Sequence, residues 1–125
     1  EKAARGSDGR LYPWGDAAPQ PGMLNFRGSN LGRPAPVDSY PEGATPYGAL
    51  NMAGNVWEWL STAYAPYPYR VDDGREDPEL DSPRVLRGGS FASKRSSFVR
   101  CASRSRSSPG RRSAHIGFRV ARGGG

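Results

Sequence analysis

Two groups of residues have types and spacings that could do chemistry. The first centres on a carboxylate, Glu58, set between Trp57 and Trp59 and preceded by Asn51, Gly54 and Asn55. A carboxylate in such apolar company must face solvent, pair with a cation or ligate a metal ion, because burying it unpaired is too costly. Several oxygens within one short span suit a hard cation such as Ca²⁺. Turn-forming asparagines beside an arginine-paired Glu58 account for the same residues without an ion. The second group is the run from Ser103 to His115, where serine, arginine and small residues dominate. It is rich in hydrogen-bond donors and positive charge, and no nucleophile is evidently paired with its lone histidine, His115. Recognition, rather than bond-making, is the chemistry such a run offers.

These groups need a frame. Ahead of the serine–arginine run lies a short apolar and glycine segment (Val85, Leu86, Gly88, Gly89). After it, Ile116, Phe118 and Val120 alternate as in a strand. Residues 49–61 form the most apolar segment, and the alternation around Glu58 predicts a strand with Trp57 and Trp59 on its core face. Residues 11–16 (LYPWGD) supply aromatic anchors. Residues 1–5 read as a short helical tail ended by the turn chemistry of residues 6–9. Between positions 17 and 48, six prolines exclude long helices and central strands. A loop this long is either functional or pinned, for instance by a bound ion. Residues 62–83 form an acidic surface loop.

Composition narrows the field. Seventeen glycines and twelve prolines in 125 residues exclude a helical bundle and indicate a loop-rich single domain with short strands. No segment is long and apolar enough for a membrane span. One cysteine, Cys101, excludes an internal disulfide and any multi-cysteine metal site. Charge is unevenly spread. All twelve acidic residues lie at or before Asp81, so that part carries −5 and the remainder +11. The basic third could meet an anionic partner, or it could be held against the acidic part of the same chain. Sixteen of the eighteen basic residues are arginine, which favours planar, bidentate contacts. Nucleic acid is a poor fit, since neither a single-strand stacking pattern nor a helix-turn-helix signal is present.

Four segments in order, residues 11–16 (LYPWGD), 53–59 (AGNVWEW), 84–90 (RVLRGGS) and 116–120 (IGFRV), resemble the formylglycine-generating enzyme or sulfatase-modifying-factor superfamily. The resemblance implies an α+β, C-type-lectin-like fold, mostly irregular with short antiparallel strands. It also implies that residues 1–125 are one such domain lacking its N-terminal part, which would then be a partner of this chain. Formylglycine-generating members carry a copper-binding cysteine pair shortly after the GGS motif. Residues 91–99 (FASKRSSFV) contain none, so neither copper nor an enzyme is expected.

Another branch of this fold comprises the variable proteins of diversity-generating retroelements, which display a diversified ligand-binding surface on a fixed scaffold. Residues 84–122 resemble their variable repeat. That likeness implies a ligand-binding protein with variable positions at Phe91, Ala92, Ser93, Ser97, Phe98, Ser103, Ser105, Ser107, Ser108, Arg111, Ser113, Ala114 and His115. Serine, arginine, alanine and histidine are all reachable from an asparagine AAC codon by changing its adenines. Lys94 is not, and is left out. Ala102, Arg104, Arg106, Pro109 and Arg112 fall on framework positions, the two arginines of the strand facing away from the serines toward carbonyls or acids such as Asp72 and Asp73. If exposed, Phe91 and Phe98 would be the anchors of a protein or other macromolecular ligand. Small polar residues with occasional aromatics also resemble antibody paratopes. Finally, the superfamily binds Ca²⁺ through the side chains matching Asn51 and Glu58 and the carbonyls matching Gly54 and Val56, so Ca²⁺ is expected there. A second calcium loop is shortened, with only Asn25 left as a match, and is not expected.

Overall fold

The computed structural model describes residues 1–123. Its regular elements are few, as the glycine and proline load requires. A one-turn helix, α1 (Lys2–Arg5), opens the chain and stops at Gly6, whose positive φ of 77° ends the turn. Strand β1 (Trp57–Ala63) is the longest, built from the aromatic and alternating segment WEWLSTA. Strands β2 (Arg84–Arg87), β3 (Arg104–Ser107) and β4 (Ile116–Gly117) complete one sheet in the order β3-β2-β1-β4.

The register fixes what the sheet can present. β1 and β2 are antiparallel, pairing Glu58 with Arg87 and Trp59 with Leu86, and an irregularity follows before Ala63 meets Arg84. β2 and β3 are antiparallel through four residue pairs. β4 runs parallel to β1, opposing Trp57 with Ile116 and Glu58 with Gly117. That parallel pair closes the domain, because it brings the end of the basic third back beside the strand that starts the sheet.

One core cluster lies among loops, beside the buried Ala63, Val85 and Leu86 of the sheet. Tyr12, Leu24, Ala53 and Val99 form it, with Trp14, Met23 and Phe26 packed against it. Tyr12 and Trp14 stack with ring centroids 5.1 Å apart, so the residue 11–16 segment is an anchor as its sequence suggests. The expectation that Trp57 and Trp59 face the core is corrected: both are only half-buried. Alternation puts them on one face, but in a sheet this small that face is left partly uncovered.

Asparagines, not regular structure, pin the long loop. Asn55 Oδ1 accepts from the Ala35 amide at 2.7 Å and from Asn25 Nδ2 at 3.1 Å, while the Asn55 amide donates to the Asn25 carbonyl at 2.7 Å. Asn51 Nδ2 donates to the carbonyls of Val37 at 2.9 Å and Ser39 at 3.3 Å. Asn51 and Asn55 both adopt left-handed backbone, with φ of 56° and 67°, which asparagine tolerates. Gly54 between them also has a positive φ, and a Cβ there would overlap the Asn25 carbonyl oxygen. Residues 17–48, irregular throughout apart from two 3-10 turns, are thus tied to the segment leading into β1.

The acidic loop does not neutralise the basic third. Asp72 pairs with Arg70 at 3.2 Å and Asp73 with Arg75 at 2.5 Å, both inside the loop. Arg84 is buried and donates to four carbonyls, those of Ser61, Asp77, Pro78 and Leu80. Arg104 donates to the Ala65 carbonyl at 2.7 Å and stacks on Tyr64 and Tyr67. Of the β3 arginines, Arg104 thus meets a backbone carbonyl, Arg106 stands at Tyr64 and lines the same cavity as Ser105 rather than facing away from it, and Asp72 and Asp73 take no part.

Candidate ligand-binding cavity

An open cavity of about 620 Å³ lies over the start of β1 and is walled by the basic third. Trp57 of β1, Leu86 of β2 and Ile116 of β4 form its apolar part. The turn after β2 brings in the next wall. Gly88 and Gly89 both have positive φ (100° and 75°), and a Cβ on Gly89 would sit 2.8 Å from Val99 and 2.9 Å from the Phe98 carbonyl. This close approach presses the GGS turn against the 3-10 turn Ser96–Val99. Within that turn Val99 enters the core, while Phe98, 42% exposed, stands at the cavity.

Polar and charged side chains supply the remaining walls. Ser90 and Ser93 line the cavity but spend their hydroxyls on the turn itself. Ser93 Oγ accepts from the Ser90 amide at 2.9 Å, and Ser90 Oγ accepts from the Ala92 amide at 3.2 Å. Lys94 and Arg95 follow, and β3 contributes Ser105 and Arg106. Arg106 also holds its guanidinium 4.8 Å from the Tyr64 ring centroid. From the loop before β4 come Arg111, Ser113 and His115. The His115 carbonyl accepts from the Trp57 amide at 2.7 Å, which fixes that loop to β1. Its ring stacks on Phe91 with centroids 4.7 Å apart, and its Nδ1 lies 3.2 Å from Ser113 Oγ. His115 therefore has a hydroxyl partner that its sequence context did not reveal. The cavity lining holds no carboxylate.

Of the thirteen expected variable positions, the cavity brings together Ala92, Ser93, Phe98, Ser105, Arg111, Ser113 and His115. Ser97, Ser103, Ser108 and Ala114 lie outside its lining. Ser107 is buried, and Phe91, 8% exposed, packs on His115 and borders a neighbouring depression instead. The expected anchor role of Phe91 is thus a structural one, since a ring with so little exposed surface supports the wall from behind. Residue-by-residue reading missed Trp57, Leu86, Ser90, Lys94, Arg95, Arg106 and Ile116. The signal for the three cations was present in the absence of acids after Asp81.

Glu58 stands apart from this cavity. Arg119 grips it with Nε at 2.7 Å and Nη2 at 2.8 Å from its two oxygens, and the same Nη2 donates to the carbonyls of Leu50 and Asn51. For Ca²⁺ the fit is mixed. Asn51 Oδ1 is buried with no hydrogen-bond partner, an acceptor that a cation would satisfy. Glu58 already has its counter-charge in Arg119, and no cluster of three or more His, Cys, Asp or Glu side chains occurs among the described residues. Cys101 is buried, its amide bonded to the Leu11 carbonyl, and burial pushes its thiol above the ordinary cysteine range.

Comparison with known proteins places this geometry. The chain is 41% identical over 120 residues to hercynine oxygenase of Mycolicibacterium thermoresistibile, covering 90% of this chain and 26% of that protein. It is 33% identical over 132 residues to the formylglycine-generating enzyme of Mus musculus, covering 93% of this chain and 35% of the relative. The chain thus spans only about a quarter to a third of the length of these relatives. Among solved structures, Treponema denticola variable protein 1 superposes with a TM-score of 0.70 at 25% identity, covering 93% of this chain and 41% of that one. The mixed sheet with few helices is therefore the C-type-lectin-like fold of formylglycine-generating enzymes and of a variable protein. One expectation falls. Lack of a cysteine pair argued that this chain is no enzyme, but relatives at up to 42% identity are named as enzymes. The sulfatase-modifying factor enzyme 1-like domain matches residues 1–123, and the chain belongs to that family.

Proposed function

We propose that this domain takes up a ligand in the cavity over Trp57, and that residues 84–122 form its recognition segment. The observation that carries the reading is the convergence there of seven of the thirteen expected variable positions, drawn from the turns after β2, from β3 and from the loop before β4. Their volume suits a small molecule or the protruding end of a larger one, since ligand cavities run to about 300–1,000 Å³. The likeness to a variable protein supports a finer version, in which the exposed wall residues are exchangeable from copy to copy. Sequencing the gene segment for residues 84–122 across a population of source cells tests it. Substitutions concentrated at Phe98, Ser105, Arg111, Ser113 and His115, with Arg104 and Gly117 constant, are expected. A uniform segment would remove the variable-protein version and leave a fixed site.

Identity to hercynine oxygenase over 90% of this chain favours a second reading, in which the same cavity is part of a substrate site. Oxygen uptake by the full-length protein with hercynine, or with a cysteine-containing peptide, measures it directly. Uptake above the protein-free rate supports that reading, and none with either compound counts against it.

Calcium belongs to this proposal as a structural ion at Asn51, Gly54, Val56 and Glu58. The unpartnered Asn51 Oδ1 supports it, and the engagement of Glu58 by Arg119 weighs on the other side.

A further inference from the structure

We propose that the ligand carries an oxyanion, a carboxylate, phosphate or sulfate group, held by Lys94, Arg95 and Arg111 beside a planar apolar part that packs on Trp57 and Phe98. This inference rests on the cavity being a ligand site and adds the chemistry of what enters it.

Three observations carry it. Lys94, Arg95 and Arg111 line the cavity, are exposed, and join none of the ion pairs found among the described residues. Six other cations of the chain, Arg5, Arg10, Arg70, Arg75, Arg87 and Arg119, do find carboxylates. The lining also contains no carboxylate to compete with an incoming anion, and no acid follows Asp81 in the sequence. Like charges gathered on one concave surface repel one another, and a bound anion relieves that repulsion while gaining charge-assisted hydrogen bonds.

The other wall sets what accompanies the charge. Trp57 is half-buried on the floor and Phe98 stands exposed at the cavity, with Ser105 of β3 lining the same space. An aromatic or otherwise planar group seated there would bury apolar surface on one side. Guanidinium forks match planar carboxylates and phosphates in a bidentate way that a lone ammonium does not. Arg106 is committed to Tyr64 and is left out of the anion set.

The test titrates the chain with phenyl phosphate, phenyl sulfate, benzoate, benzyl alcohol and benzamidine, following tryptophan fluorescence and heat. Inorganic phosphate alone is a further arm. Binding of the three aromatic anions, weaker binding of inorganic phosphate and none of benzamidine is expected, and the rank among the anions tells carboxylate from phosphate or sulfate. Each of Lys94→Gln, Arg95→Gln and Arg111→Gln should weaken anion binding about 1.5- to fivefold, the usual range for losing one exposed charged contact. Added salt should weaken it further. The three side chains form no ion pair, so the variants are expected to keep the parent melting temperature, which is measured alongside. Benzyl alcohol binding as tightly as phenyl phosphate, with no response to the substitutions, would overturn the oxyanion while leaving the cavity a ligand site. Failure of every probe to bind at millimolar concentration would overturn both. Anion binding unaffected by all three substitutions would overturn the assignment of these residues.

Discussion

Arg119 and Glu58, sixty-one positions apart in the chain, form a two-pronged ion pair at 2.7 and 2.8 Å that ties the tail following β4 to the middle of the sheet. The guanidinium also caps the carbonyls of Leu50 and Asn51, so one side chain joins three segments. Arg119→Ala should destabilise the domain by about 1–2 kcal/mol in urea unfolding, since a charged partner and two carbonyl contacts are lost at a partly exposed site. Arg119→Lys should recover less than half of that, because an ammonium cannot span a carboxylate and two carbonyls together.

The same pair frames the calcium question. If Ca²⁺ sits at Asn51 and Glu58, excess EGTA should lower the melting temperature and added Ca²⁺ restore it, as any ligand of the folded state alone would. An unchanged melting temperature, with no metal found by elemental analysis, would remove the ion and leave Arg119 as the only counter-charge.

Arg84 offers a sharper stability test. It is buried at the start of β2 and donates to four backbone carbonyls from two segments. Arg84→Met should cost about 1–3 kcal/mol, because four carbonyls lose one shared charged donor at a buried side chain. Arg84→Lys should remain well short of the parent, and denaturant midpoints would show the order.

Acid should act on the loop between β1 and β2. The Arg75 side chain, and after it the Arg75 amide, hold the Asp73 carboxyl at about 2, below its ordinary 3.8. Asp8 is held at about 2 in the same way, chiefly by Arg10. A carboxyl lowered on folding contributes stability that is whole above the unfolded value near 3.8 and is lost as pH falls through about 2. Melting temperatures measured from pH 5 to pH 2 should therefore fall, and Asp73→Asn should flatten that fall. An equal fall in the variant would show that the pair does not contribute.

How far the sequence foretold this depends on what each pattern can report. The residue 11–16 anchors and the strand at Glu58 were legible, because aromatics and alternation each have a local structural meaning. Alternation told that Trp57 and Trp59 share a face but not whether that face would be covered. Covering it depends on loops whose course is set by Asn25, Asn51 and Asn55 through contacts across tens of residues, and no local pattern encodes such contacts. Lys94 was set aside on codon grounds, although it lies in the cavity wall. A rule about how a residue arises says nothing about where its side chain stands. Phe91 was an anchor only on condition of exposure, and it is buried, with His115, distant in sequence, stacked on it. For Glu58 the residues allowed an ion or an arginine, and only the return of β4 beside β1 shows Arg119 within reach.

Phe98 and Val99 are neighbours in one 3-10 turn, yet Val99 is sealed in the core and Phe98 opens onto the cavity. Adjacent codons therefore answer to different demands. Replacing Val99 by a smaller or polar residue strikes at folding, whereas surface changes away from packing usually move stability by no more than about 0.5 kcal/mol. The same separation holds for Ser105 and Arg111, which the core does not use. A domain divided in this way can take changes along its cavity without relearning how to fold, and it can do so one residue at a time.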